Sequence, residues 1–216
     1  MNYKEIYNKE YFDGKKSFFY KLGYGNFAKF YFDTIFKPLK PYIKKLGAGK
    51  VLDVGCAFGF ILQRFPDSFE KFGVDVSEYA IGVARQKLPD AKFIVANAED
   101  ELPFPEETFD IITCNDVLEH LEHPEKALKN IFKALKREGI LYINTPNLNS
   151  FRKKVFGYAD KKEHHIGLFL HKDMMKLLEK TGFKIVKNWT YINPTYFFFI
   201  KFISNIGTES AFICAK

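Results

Sequence analysis

Two short apolar runs, each carrying an acid and closing on a small-residue turn, constrain this chain more than any other feature. The first is Val51-Leu52-Asp53-Val54-Gly55-Cys56-Ala57-Phe58-Gly59 and the second Phe72-Gly73-Val74-Asp75-Val76-Ser77, with Asp75 22 residues beyond Asp53. Apolar runs of this length bounded by glycine read as buried parallel strands. Glycine lets a backbone turn approach a ligand with no Cβ in the way. An acid ending the second strand can accept both hydroxyls of a ribose. The pattern predicts an α/β chain with a crevice for a nucleoside.

The first turn narrows the ligand. A dinucleotide site wants Gly-x-Gly-x-x-Gly, and the three positions here are Gly55, Ala57 and Phe60. Phenylalanine at the third position argues against a pyrophosphate packed on the following helix. S-adenosylmethionine carries no phosphate and needs only backbone approach, at Gly55 and Gly59, to its methionine half. Ala57 suits such a turn if its φ is negative.

Two further blocks follow in order, Ala96-Asn97-Ala98-Glu99-Asp100-Glu101-Leu102-Pro103-Phe104 and Phe109-Asp110-Ile111-Ile112-Thr113-Cys114-Asn115-Asp116-Val117-Leu118-Glu119-His120. Across roughly 51–183 the chain resembles the class I S-adenosylmethionine-dependent methyltransferases of the small-molecule type that includes quinone-biosynthesis enzymes. The resemblance implies a doubly wound, Rossmann-like sheet of seven strands with the last one antiparallel. It implies S-adenosylmethionine as cofactor and S-adenosylhomocysteine as product.

It also assigns roles. Asp53 orients the methionine amino group, with Gly55, Cys56 and Gly59 in the adjoining turn and Val76 beside the ribose-binding Asp75. Asn97 stands where the family usually has aspartate; its side-chain oxygen can still accept the adenine amino hydrogen. Ala98 and Glu99 offer backbone beside it, and the Asn115 backbone meets the methionine moiety. His120 falls at the mouth of the active site, and His164 and His165 lie in a later loop. A histidine near its ordinary pKa can take a proton from a phenol-like hydroxyl, so His120 and His165 are the candidate bases; otherwise they pack or cap. His123 and His171, beside helix starts, read as capping or surface residues. No Cys, His or Asp cluster has zinc spacing, so no metal is expected.

Charge is unevenly distributed. The net +7 resolves into +7 over residues 1–50, −7 over 51–149 and +7 over 150–216. Basic flanks around an acidic core either favour an anionic substrate or surface or are a solvated lysine face. The 216 residues suit one domain with a sizeable core. Cys56, Cys114 and Cys214 have neither metal spacing nor an even count, which fits a reducing, cytoplasmic compartment. No apolar run approaches the ~18–20 residues that span a bilayer.

Residues 1–48, with 14 of the 38 aromatics, form an aromatic, lysine-rich helical segment that either packs on the domain or lids it. Phe27, Phe30, Tyr31 and Ile35 recur at helical spacing, after a turn at Gly23 and Gly25. In the domain from 49 to 216, strands are expected near 51–54, 72–75, 91–96, 109–114, 140–144, 183–187 and 211–215. Helices are expected at 59–64, after an N-cap at Ser77, from Pro124 through Arg137 to a stop at Gly139, and at 173–180. Cap elements are expected at about 147–170, read as a long polar loop, and at 189–208, an aromatic insertion. That insertion walls an apolar pocket, packs in the core, or rests on a membrane surface.

The leading function is methyl transfer to a small-molecule acceptor, apolar with an anionic end: quinone-like, lipid or sugar-linked. The alternatives are a nucleic-acid methyltransferase, for which no Asn-Pro-Pro-Tyr motif is present, and a cofactor-binding protein without catalysis. A nicotinamide oxidoreductase is disfavoured by Phe60.

Overall fold

The computed structural model describes residues 2–15, 31–167, 169–192, 200–202 and 207–216. Eight strands form one sheet: β1 (Gly49–Val54), β2 (Phe69–Asp75), β3 (Lys92–Val95), β4 (Phe109–Asn115), β5 (Leu135–Pro146), β6 (Lys184–Ile192), β7 (Ile200–Phe202) and β8 (Glu209–Ala215). Their order is β3-β2-β1-β4-β5-β8-β6-β7. β3, β2, β1, β4 and β5 are parallel, and β8 enters antiparallel between β5 and β6. The seven expected strands are present. A short eighth, β7, pairs with the outer edge of β6 inside the aromatic insertion.

Period-two alternation splits the core between the two faces of the sheet. Leu52, Ile112, Leu141 and Phe212 pack on one face with α5 (Pro124–Ala134) and α7 (His171–Lys180). Val51, Ile111, Tyr142 and Ile213 pack on the other with α4 (Glu78–Lys87) and α3 (Lys40–Leu46). Ser77 caps α4 as expected, its hydroxyl accepting the Ala80 N–H at 3.2 Å. The N-terminal segment contributes α1 (Tyr3–Ile6), α2 (Lys9–Phe12) and helical residues 31–36. The expected turn at Gly23 and Gly25, Phe27 and Phe30, and the aromatics from Tyr196 to Phe199 lie outside the described residues.

Four local expectations are corrected. The helix expected over 59–64 is a single 3₁₀ turn, Leu62–Arg64. The helix from Pro124 ends at Ala134, because Leu135 already pairs with Phe109 of β4 and the strand ladder takes over the backbone. The strand expected to stop at Lys187 continues to Ile192, held against β8. The stretch read as a long polar loop contains the 13-residue helix α6 (Ser150–Lys162); its weak amphipathic pattern hid it. Among the described residues no helix is long and apolar enough to cross a membrane.

Candidate functional site

The strand order reverses between β1 and β4, and the crevice beyond their C-terminal ends is where open α/β sheets take ligands. A cavity of about 240 Å³ opens there. One half is built by the strand ends. Gly55 and Ala57 follow β1, Asp75 ends β2, Asn97 follows β3 and Asn115 ends β4, and all line the cavity. Gly55 is indispensable to that shape: its φ is +73°, and a Cβ there would run into the Val117 side chain.

Asp75 organises the first turn. Its Oδ2 accepts the Ala57 N–H at 2.9 Å and its Oδ1 accepts the Ser77 N–H at 2.9 Å, and the Val76 N–H also acts on the carboxylate; a carboxylate has about four acceptor sites, so capacity remains for a ligand. Ala57 has φ +43°, so the negative φ that would suit alanine at this turn is not met. The bond to Asp75 helps hold this left-handed conformation, which is costly for an L-residue with a Cβ. Asp53 is buried beneath the turn and accepts the Thr113 hydroxyl at 2.6 Å. Burial pushes its pKa up to about 7 despite that bond, and Asp75 adds to the rise.

Most sequence-predicted positions converge. Asp53, Gly55, Cys56, Asp75, Val76, Asn97, Ala98, Asn115, His120 and His165 all line the cavity. Gly59 and Glu99 do not. Gly59 (φ +75°) shapes the turn from outside, facing Leu88 and Phe93. Glu99 points its carboxylate away, accepting the Tyr3 hydroxyl at 2.8 Å and the His123 N–H. His171, expected at a cap or on the surface, is buried against Phe212 and bonded to Ser210 and Asn188.

The other half of the cavity comes from the flanks. Tyr3, Tyr7, Tyr11 and Phe12 of the N-terminal segment form part of the wall. Tyr11 secures this cover by donating to Glu163 at 2.7 Å. Tyr31 donates to Asp116 at 2.6 Å. Below lies a buried ionic group in which Arg152 meets Asp160 at 2.7 Å and Glu209 at 2.5 Å, while His165 Nδ1 lies 3.0 Å from Asp160. The N–H groups of Ile166 and Gly167 bond to the Glu119 carbonyl, and this seats the loop so that the His120 and His165 rings stand 4.7 Å apart.

Sequence reasoning missed Arg152, Glu163, Glu209 and the cavity tyrosines, which join the site through contacts distant in the chain, and Asp116 and Glu119, which follow β4 beside the predicted Asn115 and His120. One signal was available for Arg152. It is the sole arginine among the 12 basic residues of 150–216, and arginine is the residue suited to buried ion pairs. The expectation of no metal rested on spacing. Glu119, His120 and His165 nevertheless meet, each offering a ligand atom within 4.8 Å of the others.

Electrostatics divide the ionisable wall. Burial raises the pKa of Asp116, and burial together with Asp116 raises Glu119 further. Burial, aided by His165, lowers His120 to about 3, so its ring is neutral. Burial also raises Asp160, but the hydrogen bonds from His165 and Arg152 outweigh it and hold that carboxylate ionised below its ordinary range.

Among the described residues, the buried side-chain polar atoms without a hydrogen-bond partner are Tyr7 Oη, both amide atoms of Asn115, Glu119 Oε1 and His120 Nδ1. Every one belongs to a residue lining this cavity. Folded proteins leave few such groups, and a polar ligand here would complete them. The Asn115 amide, the bare backbone at Gly55 and the open lone pairs of Asp75 fit a nucleoside amino acid.

Comparison with known proteins agrees with this geometry. A family model described as "Methyltransferase domain" matches residues 52–143. An uncharacterized protein of Methanocaldococcus jannaschii is 35% identical over 155 residues, covering 69% of this chain and 70% of that protein. A ubiquinone biosynthesis O-methyltransferase of Azoarcus sp. is 33% identical over 109 residues, covering 48% of this chain and 47% of its own length. Among solved structures, a SAM dependent methyltransferase from Archaeoglobus fulgidus shares the fold with a TM-score of 0.66 at 20% identity, covering 86% of this chain and 94% of that one. The reversed strand order, the glycine turn facing Asp75 and these matches together make the chain a member of the class I S-adenosylmethionine-dependent methyltransferase family.

Proposed function

We propose that this enzyme methylates a hydroxyl on a small acceptor with a largely apolar, aromatic-compatible body. The observation that carries the reading is the clustering of unpartnered polar atoms on one cavity whose cofactor half and aromatic half are continuous. When bound, S-adenosylmethionine supplies a methyl group already activated by its sulfonium charge. The chain's own task is to align the acceptor, and well-held reactants gain on the order of 7–11 kcal/mol from positioning alone.

In this reading Asp75 holds the ribose, Asn97 the adenine edge, and Asp53, Gly55, Cys56 and Asn115 the methionine half, with Val76 and Ala98 as flanking walls. Gly59 and Glu99 act indirectly, one through the turn and the other by fastening Tyr3. His165 is the better base: Asp160, 3.0 Å from its Nδ1, favours the proton there and leaves Nε2 to accept one. His120, neutral and buried, orients the hydroxyl instead. Among the described residues the acceptor side of the cavity is lined by Asp116, Glu119, Glu163 and Glu209 with Arg152, which favours a neutral acceptor over the anionic end suggested by the basic flanks.

Incubation with methyl-labelled cofactor and a panel of phenols, quinols, carboxylates, lipids and RNA tests the proposal. Label on a hydroxyl-bearing aromatic, reduced by His165→Asn with cofactor affinity retained, is the expected outcome. Labelled RNA would favour the nucleic-acid reading, and tight cofactor binding with no product anywhere would favour a non-catalytic role.

A further inference from the structure

Glu119, His120 and His165 each have one polar atom engaged or faced by an orienting group and another left over. Glu119 is fully buried; its Oε2 accepts the Thr145 hydroxyl at 3.1 Å while Oε1 has no partner. The main-chain carbonyls of His164 and Glu163 act on the His120 ring, whose Nδ1 is buried and unpartnered. His165 has Nδ1 against the Asp160 carboxylate, which leaves Nε2 as its second ring nitrogen. A carboxylate or carbonyl behind each imidazole is the arrangement that fixes the tautomer and direction of metal-binding histidines.

We propose that Glu119, His120 and His165 bind one divalent transition-metal ion, of the zinc or cobalt type, with an open position for an acceptor oxygen. Two imidazoles and a carboxylate form a donor set such ions accept, and three protein ligands with one free position is the pattern of open zinc sites. One ligand atom from each side chain lies within 4.8 Å of the others. Tetrahedral bonds of ~2.0–2.1 Å place ligand atoms roughly 3.4 Å apart, so closure requires side-chain shifts of at most about 1.5 Å.

Charge favours the same occupant. Asp116, Glu119, Glu163 and Glu209 line this part of the cavity and Asp160 stands behind His165, with Arg152 as the guanidinium among them. Arg152 meets Asp160 and Glu209, whereas the buried Glu119 carboxylate is costly to ionise unless it is paired or bound to a metal. The acceptor's place in the open position rests on the proposed function; the ion site does not. A bound ion would use the Nε2 lone pair of His165, so metal-loaded protein would not use His165 as a base.

The test uses the whole chain, stripped with a chelator and titrated with Co²⁺ and then Zn²⁺, without acceptor. One equivalent of cobalt with visible ligand-field absorption, displaced by zinc, is expected. Glu119→Gln, His120→Asn and His165→Asn should each lose the absorption while keeping cofactor affinity and a cooperative melt. Thr145→Val, which removes the hydroxyl that donates to Glu119, should weaken cobalt binding ~10- to 100-fold. A stripped wild-type protein that binds cofactor but takes up no cobalt or zinc overturns the proposal, as do ligand variants that bind cobalt as the wild type does. Methylation by metal-free enzyme would leave the proposed function standing while removing the ion from it.

Discussion

Replacing Asp75 with alanine isolates the interaction on which cofactor recognition turns. Each carboxylate oxygen already accepts a backbone N–H at 2.9 Å, the Val76 N–H also acts on the group, and the acceptor capacity left over is available to the ribose hydroxyls. Hydrogen bonds to a charged group contribute about 1.5–3 kcal/mol each. Water entering the space vacated by the carboxylate would partly satisfy both hydroxyls, so the net loss should equal about one such bond. Affinity should then fall ~10- to 150-fold. Calorimetric titration with S-adenosylmethionine and S-adenosylhomocysteine should show similar losses, because the ribose is common to both. A 2′,3′-dideoxy analogue should bind wild type and Asp75→Ala within about twofold of each other, since the deleted interaction is absent from both sides of the cycle. The reasoning is refuted if the variant binds S-adenosylmethionine as tightly as the wild type. It is also refuted if the dideoxy analogue loses as much, which would trace the effect to collapse of the Ala57 turn.

Ala57→Gly should stabilise the protein by about 0.5–1 kcal/mol in urea unfolding, the relief of a left-handed alanine less the added freedom of the unfolded chain; destabilisation would contradict the positive φ. Gly55→Ala should do the reverse and weaken cofactor binding at least ~10-fold, because overpacking against Val117 and a left-handed alanine each cost about 1–2 kcal/mol. Asp53 keeps its proton longer in the folded protein than in the unfolded chain, so its contribution makes stability fall as pH rises from 3.8 through about 7. Asp53→Asn, which retains an acceptor for Thr113, should therefore match wild type near the bottom of that window. Above the top it should exceed wild type by about 2–4 kcal/mol, since each tenfold change in proton affinity between folded and unfolded chain is worth ~1.4 kcal/mol; a pH-independent difference in melting would sink this. Arg152→Met preserves bulk but strands Asp160 and Glu209, costing about 3–5 kcal/mol in urea unfolding; a loss below about 1 kcal/mol would mean that those acids find other partners.

What the sequence determined by itself is the cofactor half of the molecule. β1, β2 and β4 each carry a short, mostly apolar run, and Gly55, Asp75, Asn97 and Asn115 sit at or just past strand ends, so local pattern and chain order suffice to bring them to one edge of the sheet. Even there, the sign of φ at Ala57 was not legible, because it depends on the Asp75 carboxylate 18 residues away. The acceptor half was decided by tertiary structure. Tyr11 reaches Glu163 across 152 residues and Arg152 reaches Glu209 across 57. His120 meets His165 only because the Glu119 carbonyl holds the Ile166 and Gly167 amides. No periodicity encodes such contacts. The strand ends are read from neighbours along the chain, whereas the buried charges and the paired imidazoles exist only where folding removes water from groups far apart in sequence.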